Sequence, residues 1–448
     1  MTIGRRDLML AGLGAGLAAL AGPRLAVAQS ESSPNAFSTH GIVPAGGETD
    51  QTATLQAAAD AAAETGTPLF LPGGIYATGR LELKSGTQIR GVPGRTILRY
   101  RDGGAIVSIA DADNVGLHGL TLDGGDESLG EGGALLSAVG VKHLRLSDCR
   151  FSRSGGGGVF LRRVSGTIEQ CEIGDIRGAG LLSEDASGLE VSGNHVHDCG
   201  DNGIQIWRSE PGEDGSIVRG NRIERIAAES GGSGQNGNGV NVFRAGSVLV
   251  SGNRITDCAF TAIRANSSPN CQMIGNSCAR LGEVALYAEF TFEGVIIANN
   301  LVDKAAMGIS VTNFKQGGRL AVVQGNLLRN LFLRKDVDSR GIGIAVEADS
   351  VVSGNVIENA AAYGIMVGWG SYLRDVSVTD NLIRNAHIGI GIAADSSAGM
   401  TLVTDNMITE AKDGAIRAMN GATPVGPDLA RSSAEAYRNI AAYSNVAR

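Results

Sequence analysis

Val191-Ser192-Gly193-Asn194-His195-Val196, Val250-Ser251-Gly252-Asn253-Arg254-Ile255 and Val352-Ser353-Gly354-Asn355-Val356-Ile357 are one phrase written three times. Its asparagine recurs more widely than the phrase. Asn194, Asn221, Asn253, Asn276, Asn300, Asn326, Asn355, Asn381 and Asn406 follow one another at 23 to 29 residues, with one step of 32. Two residues after each stands Val196, Ile223, Ile255, Cys278, Val302, Leu328, Ile357, Ile383 or Ile408. A period of this size marks a repeat architecture, in which each unit buries its apolar face only by stacking on its neighbours.

Between the asparagines lies a second phrase, a Gly or Ala followed by alternating apolar residues. It begins at Gly158, Gly180, Gly203, Gly239, Ala262, Ala285, Gly308, Gly341, Gly364, Gly389 and, less cleanly, Gly414. Alternation reads as a strand with one buried face. In Ile204-Gln205-Ile206-Trp207 the isoleucines point one way, and Gln205 and Trp207 the other. Val248 to Val250 and Val376 to Val378 supply another short strand before the asparagine. Such short strands leave no room for a crossover helix, and a leucine-rich-repeat consensus is absent. The expected fold is all-β, a single-stranded parallel β-helix whose turns lie about 4.8 Å apart. Asparagine suits a tight left-handed turn, and stacked amides can bond along the column. The column reads as scaffold.

Of 448 residues, 66 are Gly and 4% are aromatic, and the net charge is −8. That charge argues against nucleic acid as a partner. Arg5-Arg6 precede an apolar run from Leu8 to Gly22, and Ala26-Val27-Ala28 offers a cleavage site. The paired arginines resemble a twin-arginine signal, with Gly4 and Leu8 departing from the usual residues. The run is short for a membrane span, so the cleaved chain is expected to be periplasmic or secreted, with no span. The expected division is 1–28 signal peptide, 29–47 linker, 48–78 N-terminal cap, 79–421 β-helix and 422–448 C-terminal cap. The six cysteines lack CxxC spacing or a Cys/His cluster, so buried thiols are favoured over disulfides and no metal site is assigned. Cys149 and Cys171 continue the asparagine column into the two preceding turns, and no cofactor is indicated.

Thr52 is positioned to cap a helix running to Glu64 and ended by Gly66. Ser432-Ser433-Ala434-Glu435 has the form of a capping box ahead of a short C-terminal helix over Ala436 to Ala442. Thr49-Asp50-Gln51-Thr52, Leu55-Gln56-Ala57-Ala58 and Leu71-Pro72-Gly73-Gly74-Ile75-Tyr76 resemble the opening of pectin-lyase-like right-handed β-helix proteins. That group includes pectate lyases, polygalacturonases and phage tailspikes. With its export signal, the chain also resembles a bacterial family of exported repeat proteins of unassigned function. The resemblance implies a right-handed solenoid whose N-terminal helix covers the open first turn.

The outward positions of the Gly-led strands form a ladder. In order they are Phe160 and Arg162, Leu182 and Glu184, Gln205 and Trp207, Asn241 and Phe243, Arg264 and Asn266, Tyr287 and Glu289, Ser310 and Thr312. Beyond these the ladder is expected to fade to Gly343 and Ala345, Met366 and Gly368, and Gly391 and Ala393. Aromatic faces stack on sugar rings, and guanidinium and amide groups bind carboxylates and hydroxyls. Phe160, Arg162, Gln205, Trp207, Arg208, Asn241, Phe243 and Arg244 are therefore candidate substrate contacts. Insertions at Glu229 to Asn238 and Leu331 to Arg340 leave the same edge and are placed to wall a groove.

For catalysis, hydrolysis needs two carboxylates about 5 to 10 Å apart, and β-elimination a base with a cation. Glu184, Arg264, Tyr287 and Glu289 are the candidates. The polygalacturonase motifs are incomplete: Arg222-Ile223-Glu224 and Arg254-Ile255-Thr256 match Arg-Ile-Lys only in their first two residues. Of the Asp-Pro-His-Asp motif of alginate-modifying β-helix enzymes, only His197-Asp198 is present, and His195 and His197 read as exposed residues flanking a turn. Two functions remain: an exported protein binding or processing a polysaccharide, for which an anionic one suits the arginines, or a non-catalytic envelope protein that is structural or binds protein. The fold is common to both.

Overall fold

Alternation along each strand sends every second side chain inward. Val191, Val196, Cys199, Ile204 and Ile206 of one turn are all at most 1% exposed. The same positions in neighbouring turns stack on them and join one continuous apolar core. The computed structural model describes residues 39–335, 337 and 339–448, and the expected signal peptide lies outside the described residues. The strands form sheets of 15 and 28 strands, parallel except for the antiparallel pair Ile416–Asn420 and Thr423–Val425, and the first sheet takes one strand from each turn. One turn is exemplified by Glu190–Ser192, His195–Cys199 and Asn202–Glu213, each pairing with the strand one turn on. This is the parallel β-helix read from the repeat.

The asparagines do stack. Asn194 donates from both its backbone N (2.9 Å) and Nδ2 (3.0 Å) to Oδ1 of Asn221, and Nδ2 also donates to the Ile168 carbonyl. The pattern repeats through Asn253, Asn276, Asn300, Asn326, Asn355 and Asn381 to Asn406. At the N-terminal end, Cys171 takes the column position and gives its backbone N–H to Asn194. At the other end the column reaches a tenth member, Asn445, which the sequence reading missed. The left-handed residue of this turn is also the one before the asparagine: Gly193, Gly220, Gly252, Asn299, Asp380 and Ser444 all have positive φ. Asparagine is here for its amide, and its neighbour supplies the turn.

The helix runs Thr52–Thr65 and ends on left-handed Gly66, as expected. Its N-cap position falls on Gln51, not Thr52; the Asp50 carboxylate accepts from Thr52 N (2.9 Å) and Oγ1 (2.6 Å). No short C-terminal helix forms. Ile440–Tyr443 and Val446–Ala447 are strands paired with the last turn, at Thr401–Thr404 and at Met407 and Ile408. A helix there would leave the final strand edge unpaired, whereas strands satisfy it. The preceding segment is tied down by Asp428, whose carboxylate accepts from Ala415 N (2.8 Å) and Ile416 N (3.0 Å). Ser432 Oγ donates back to the Asp428 carbonyl, outside any helical cap.

The Gly-led strands pack tightly across turns. A Cβ on Gly203 would stand 2.6 Å from the Gly239 carbonyl oxygen and 2.9 Å from Ile223. Two turns are framed differently from expectation. Ile309 pairs with Ile344 and Ile390 with Ile416, so Gly343 and Ala415, not Gly341 and Gly414, occupy this column.

Candidate functional site

Register places the outward ladder in two straight columns. Phe160, Leu182, Gln205, Asn241, Arg264, Tyr287 and Ser310 form one, and Arg162, Glu184, Trp207, Phe243, Asn266 and Glu289 the other. After Ser310 the first column continues to Ala345, Met366 and Gly391, so Gly343 is not a ladder residue. Val284, Met307, Ile342 and Ala345 make a small apolar cluster there with Tyr287, Tyr363 and Met366. The chemistry thus concentrates in the middle turns.

At the centre Trp207 meets Phe243 edge to face, ring centroids 5.9 Å apart. Arg244 lies over the Phe243 ring at 4.8 Å and donates to the Ser209 carbonyl (2.7 Å). Arg208 reaches the Ala186 carbonyl (3.3 Å). Towards the N-terminus, Arg162 lies over Phe160 and is paired with Glu184 at 2.7 Å. Towards the C-terminus, Arg264 bonds Glu289 at 2.6 Å, Asn266 donates to the same oxygen (2.8 Å), and Arg264 lies 5.4 Å from the Tyr287 ring centroid. Burial, helped by the Glu289 charge, pushes the Tyr287 phenol up to about 12.

The Glu229 to Asn238 insertion folds onto this face. Gln235 accepts on its carbonyl from Asn202 Nδ2 and Asn241 Nδ2, both at 3.1 Å, and Asn238 Nδ2 donates to Gly234 O (2.9 Å). Asn241 is covered as a result, and Gln205 is also buried, so neither is the open contact its alternation suggested. Sequence reasoning missed Asn202 and Asn238, whose signal was an Asn directly before the column glycines. The second insertion packs Arg340 onto Glu283 at 2.9 Å. Arg264, Asn266, Tyr287 and Glu289 sit on two of the three turns between the insertions. Trp207 Nε1, Asn238 Oδ1, Thr261 Oγ1 and Arg264 Nη1 are buried with no hydrogen-bond partner in the chain, and such atoms ask for a polar ligand or water.

The carboxylates do not make a hydrolytic pair. Glu184 and Glu289 share a column but lie four turns apart, about 19 Å at the spacing of β-strands. Each is also held by an arginine.

Around the next corner, His195 and His197 lie beside Arg222 and Glu224, as alternation predicted. His197 is nevertheless buried, held by Asp198 (2.6 Å) and Glu172 (3.3 Å), while His195 bonds Glu224 (3.1 Å). Burial pushes Glu224 up, but hydrogen bonds from Arg225, Arg222 and His195 outweigh it and hold its carboxyl at about 2. Arg225, and then His197, hold Asp198 at about 2 against its burial. This is a network of satisfied ion pairs, of which Asp198 and Arg225 also line an open cavity of about 640 Å³. All six cysteines are buried free thiols, and burial pushes Cys271 and Cys278 up to about 12.

Stacked parallel turns with asparagine corners define a β-solenoid, and comparison with known proteins gives its kind. The model of the "Right handed beta helix region" matches residues 132–232, and that of the "Periplasmic copper-binding protein (NosD)" matches residues 227–423. Pre-mature gene product 12 of bacteriophage phi29 is 16% identical at a TM-score of 0.58, over 87% of this chain and 58% of that one. The chain thus spans less than two thirds of that protein. An N-terminal fragment of the same phage protein gives 16% identity and a TM-score of 0.52, over 90% of this chain and 70% of the fragment. The A-module of the Azotobacter vinelandii mannuronan C-5 epimerase AlgE6 is 17% identical at a TM-score of 0.46, covering 90% and 96%. No curated protein matches in sequence. Neither family model spans half of the chain, and at these identities the structural likenesses speak for fold alone.

Proposed function

We propose that this is an exported protein that binds a polysaccharide along the outer face of its middle turns. One observation carries the reading: the Trp207–Phe243 pair, flanked by Arg208, Arg244 and Arg264 and bordered by buried donors without partners. Aromatic faces accept sugar rings, and guanidinium groups accept the carboxylates of an anionic chain. Export rests on the signal-like N-terminus and on the periplasmic family whose model matches residues 227–423. Among the described residues no helix is long and apolar enough to cross a membrane.

Binding without cleavage is the better reading of the charged groups. Glu184 and Glu289 are each engaged by an arginine and stand far apart. Copper binding, carried by the description of that family model, finds no fit. The His197, Asp198 and Glu172 side chains that meet are tied to one another and to Arg225 and Arg150, no group of three His, Cys, Asp or Glu among the described residues is set to hold a metal ion, and the thiols are buried.

A glycan array probed with wild type and Trp207→Ala tests the proposal. Wild type should bind uronate-containing polysaccharides, and the variant should bind at least about tenfold more weakly, as for a central aromatic anchor. The variant's thermal melt should stay close to wild type. Binding to no polysaccharide would overturn the proposal in favour of a structural or protein-binding envelope role. New reducing ends or unsaturated-uronate absorbance would restore catalysis.

A further inference from the structure

On the strands that follow the asparagine corner, the first outward position changes character midway along the solenoid. It reads Arg150, Glu172, His195, Arg222 and Arg254 in the early turns. After Ser277 it becomes Leu301, Leu327, Val356, Leu382, Met407 and Val446, stacked turn on turn and 39% to 55% exposed. These six leave on the order of 500 Å² of apolar surface, near the upper end for a monomer. The next outward position on the same strands alternates in sign: Asp303, Arg329, Glu358, Arg384.

We propose that this face is the interface of an antiparallel homodimer. The occupant is a second copy of this chain for two reasons. A row of apolar side chains repeating about every 4.8 Å is commensurate with another β-solenoid of the same rise. Reversed between the turns of Glu358 and Arg384, the charge column also sets those opposite charges against each other. A two-fold axis along the strand direction, between the turns of Val356 and Leu382, lays Val356 on Leu382 of the partner subunit. Leu327 then meets Met407 of the partner subunit, and Leu301 meets Val446 of the partner subunit. Glu358 faces Arg384 of the partner subunit, and symmetry makes that contact twice, as an isologous interface requires. Parallel packing in register would oppose like charges and be disfavoured. Arg329 and Arg384 are already oriented by Asp303 (2.9 Å) and Glu410 (3.1 Å). With this charged column, the face approaches the roughly 800 Å² per partner of a standard interface.

Sedimentation velocity on the chain recovered from an export-competent host, from about 1 to about 100 μM, provides the test. Wild type should dimerise within this range, and Leu327→Glu, at an exposed site, should be monomeric with an unchanged circular dichroism spectrum. Arg384→Glu should weaken the dimer at least about tenfold, and adding Glu358→Arg to it should restore association. Trp207→Ala should leave the dimer intact, which separates this surface from the polysaccharide face. A wild-type monomer throughout, or a dimer that survives Leu327→Glu, would overturn the proposal. So would a monomer that co-sediments with phosphatidylglycerol vesicles through the same leucine, since a lipid surface would then be the occupant.

Discussion

Asn276 shows what one residue of the column contributes. It is 1% exposed, donates from Nδ2 to Val250 O and Asn300 Oδ1, and accepts from Asn253 N and Nδ2, all four bonds at 3.0 Å. Asn276→Ala removes all four and strands buried partners on both sides, so a loss of about 2 to 4 kcal/mol is expected. Guanidinium denaturation checks this, and a loss below about 1 kcal/mol would mean the ladder is decorative. The column was legible because each buried amide demands the same residue in the turn above and below. Its tenth member was not, since Asn445 follows Asn406 by 39 residues with no phrase between. Nor was the left-handed position, where Gly193, Asn299, Asp380 and Ser444 share a conformation but no side chain.

At the scale of elements, the insertions matter most. Gly234, at φ +122°, lies where any Cβ would collide with the Arg264 guanidinium. Gly234→Ala should therefore lift the loop or push Arg264 off Glu289, and lower polysaccharide affinity more than stability. Titration calorimetry beside a thermal melt reads both, and unchanged affinity would detach the loop from the site. Alternation made the strands and their outward residues readable. The partnerships Arg162–Glu184 and Arg264–Glu289 were hidden, because residues 22 and 25 apart meet only through register. Register also decided Gly343 over Gly341, where Gly-Ile-Gly-Ile offers two equivalent starts. The capping-box pattern near Ser433 was overridden by the need of the last turn for a pairing strand.

For the whole molecule, stability accumulates from contacts between neighbouring turns around one core. The six thiols report on that core from Cys149 to Cys278. A thiol-specific disulfide reagent should label none in the native chain and all six after unfolding without reductant. Fewer than six in the unfolded chain would reveal disulfides and contradict the buried free thiols. Oxidising surroundings are then no requirement for folding.

The asparagine ladder also has a direction. Each member from Asn194 to Asn406 lends its backbone N–H and one amide N–H to the next and gives the other amide N–H to a carbonyl one turn back, and none refers to anything further away. Such a chain has no preferred length. A segment copied from one asparagine to the next and spliced back in would find every donor and acceptor waiting, with both ends undisturbed. The protein is built like a ruler that can be lengthened in whole divisions, and its reach along a partner is set by counting.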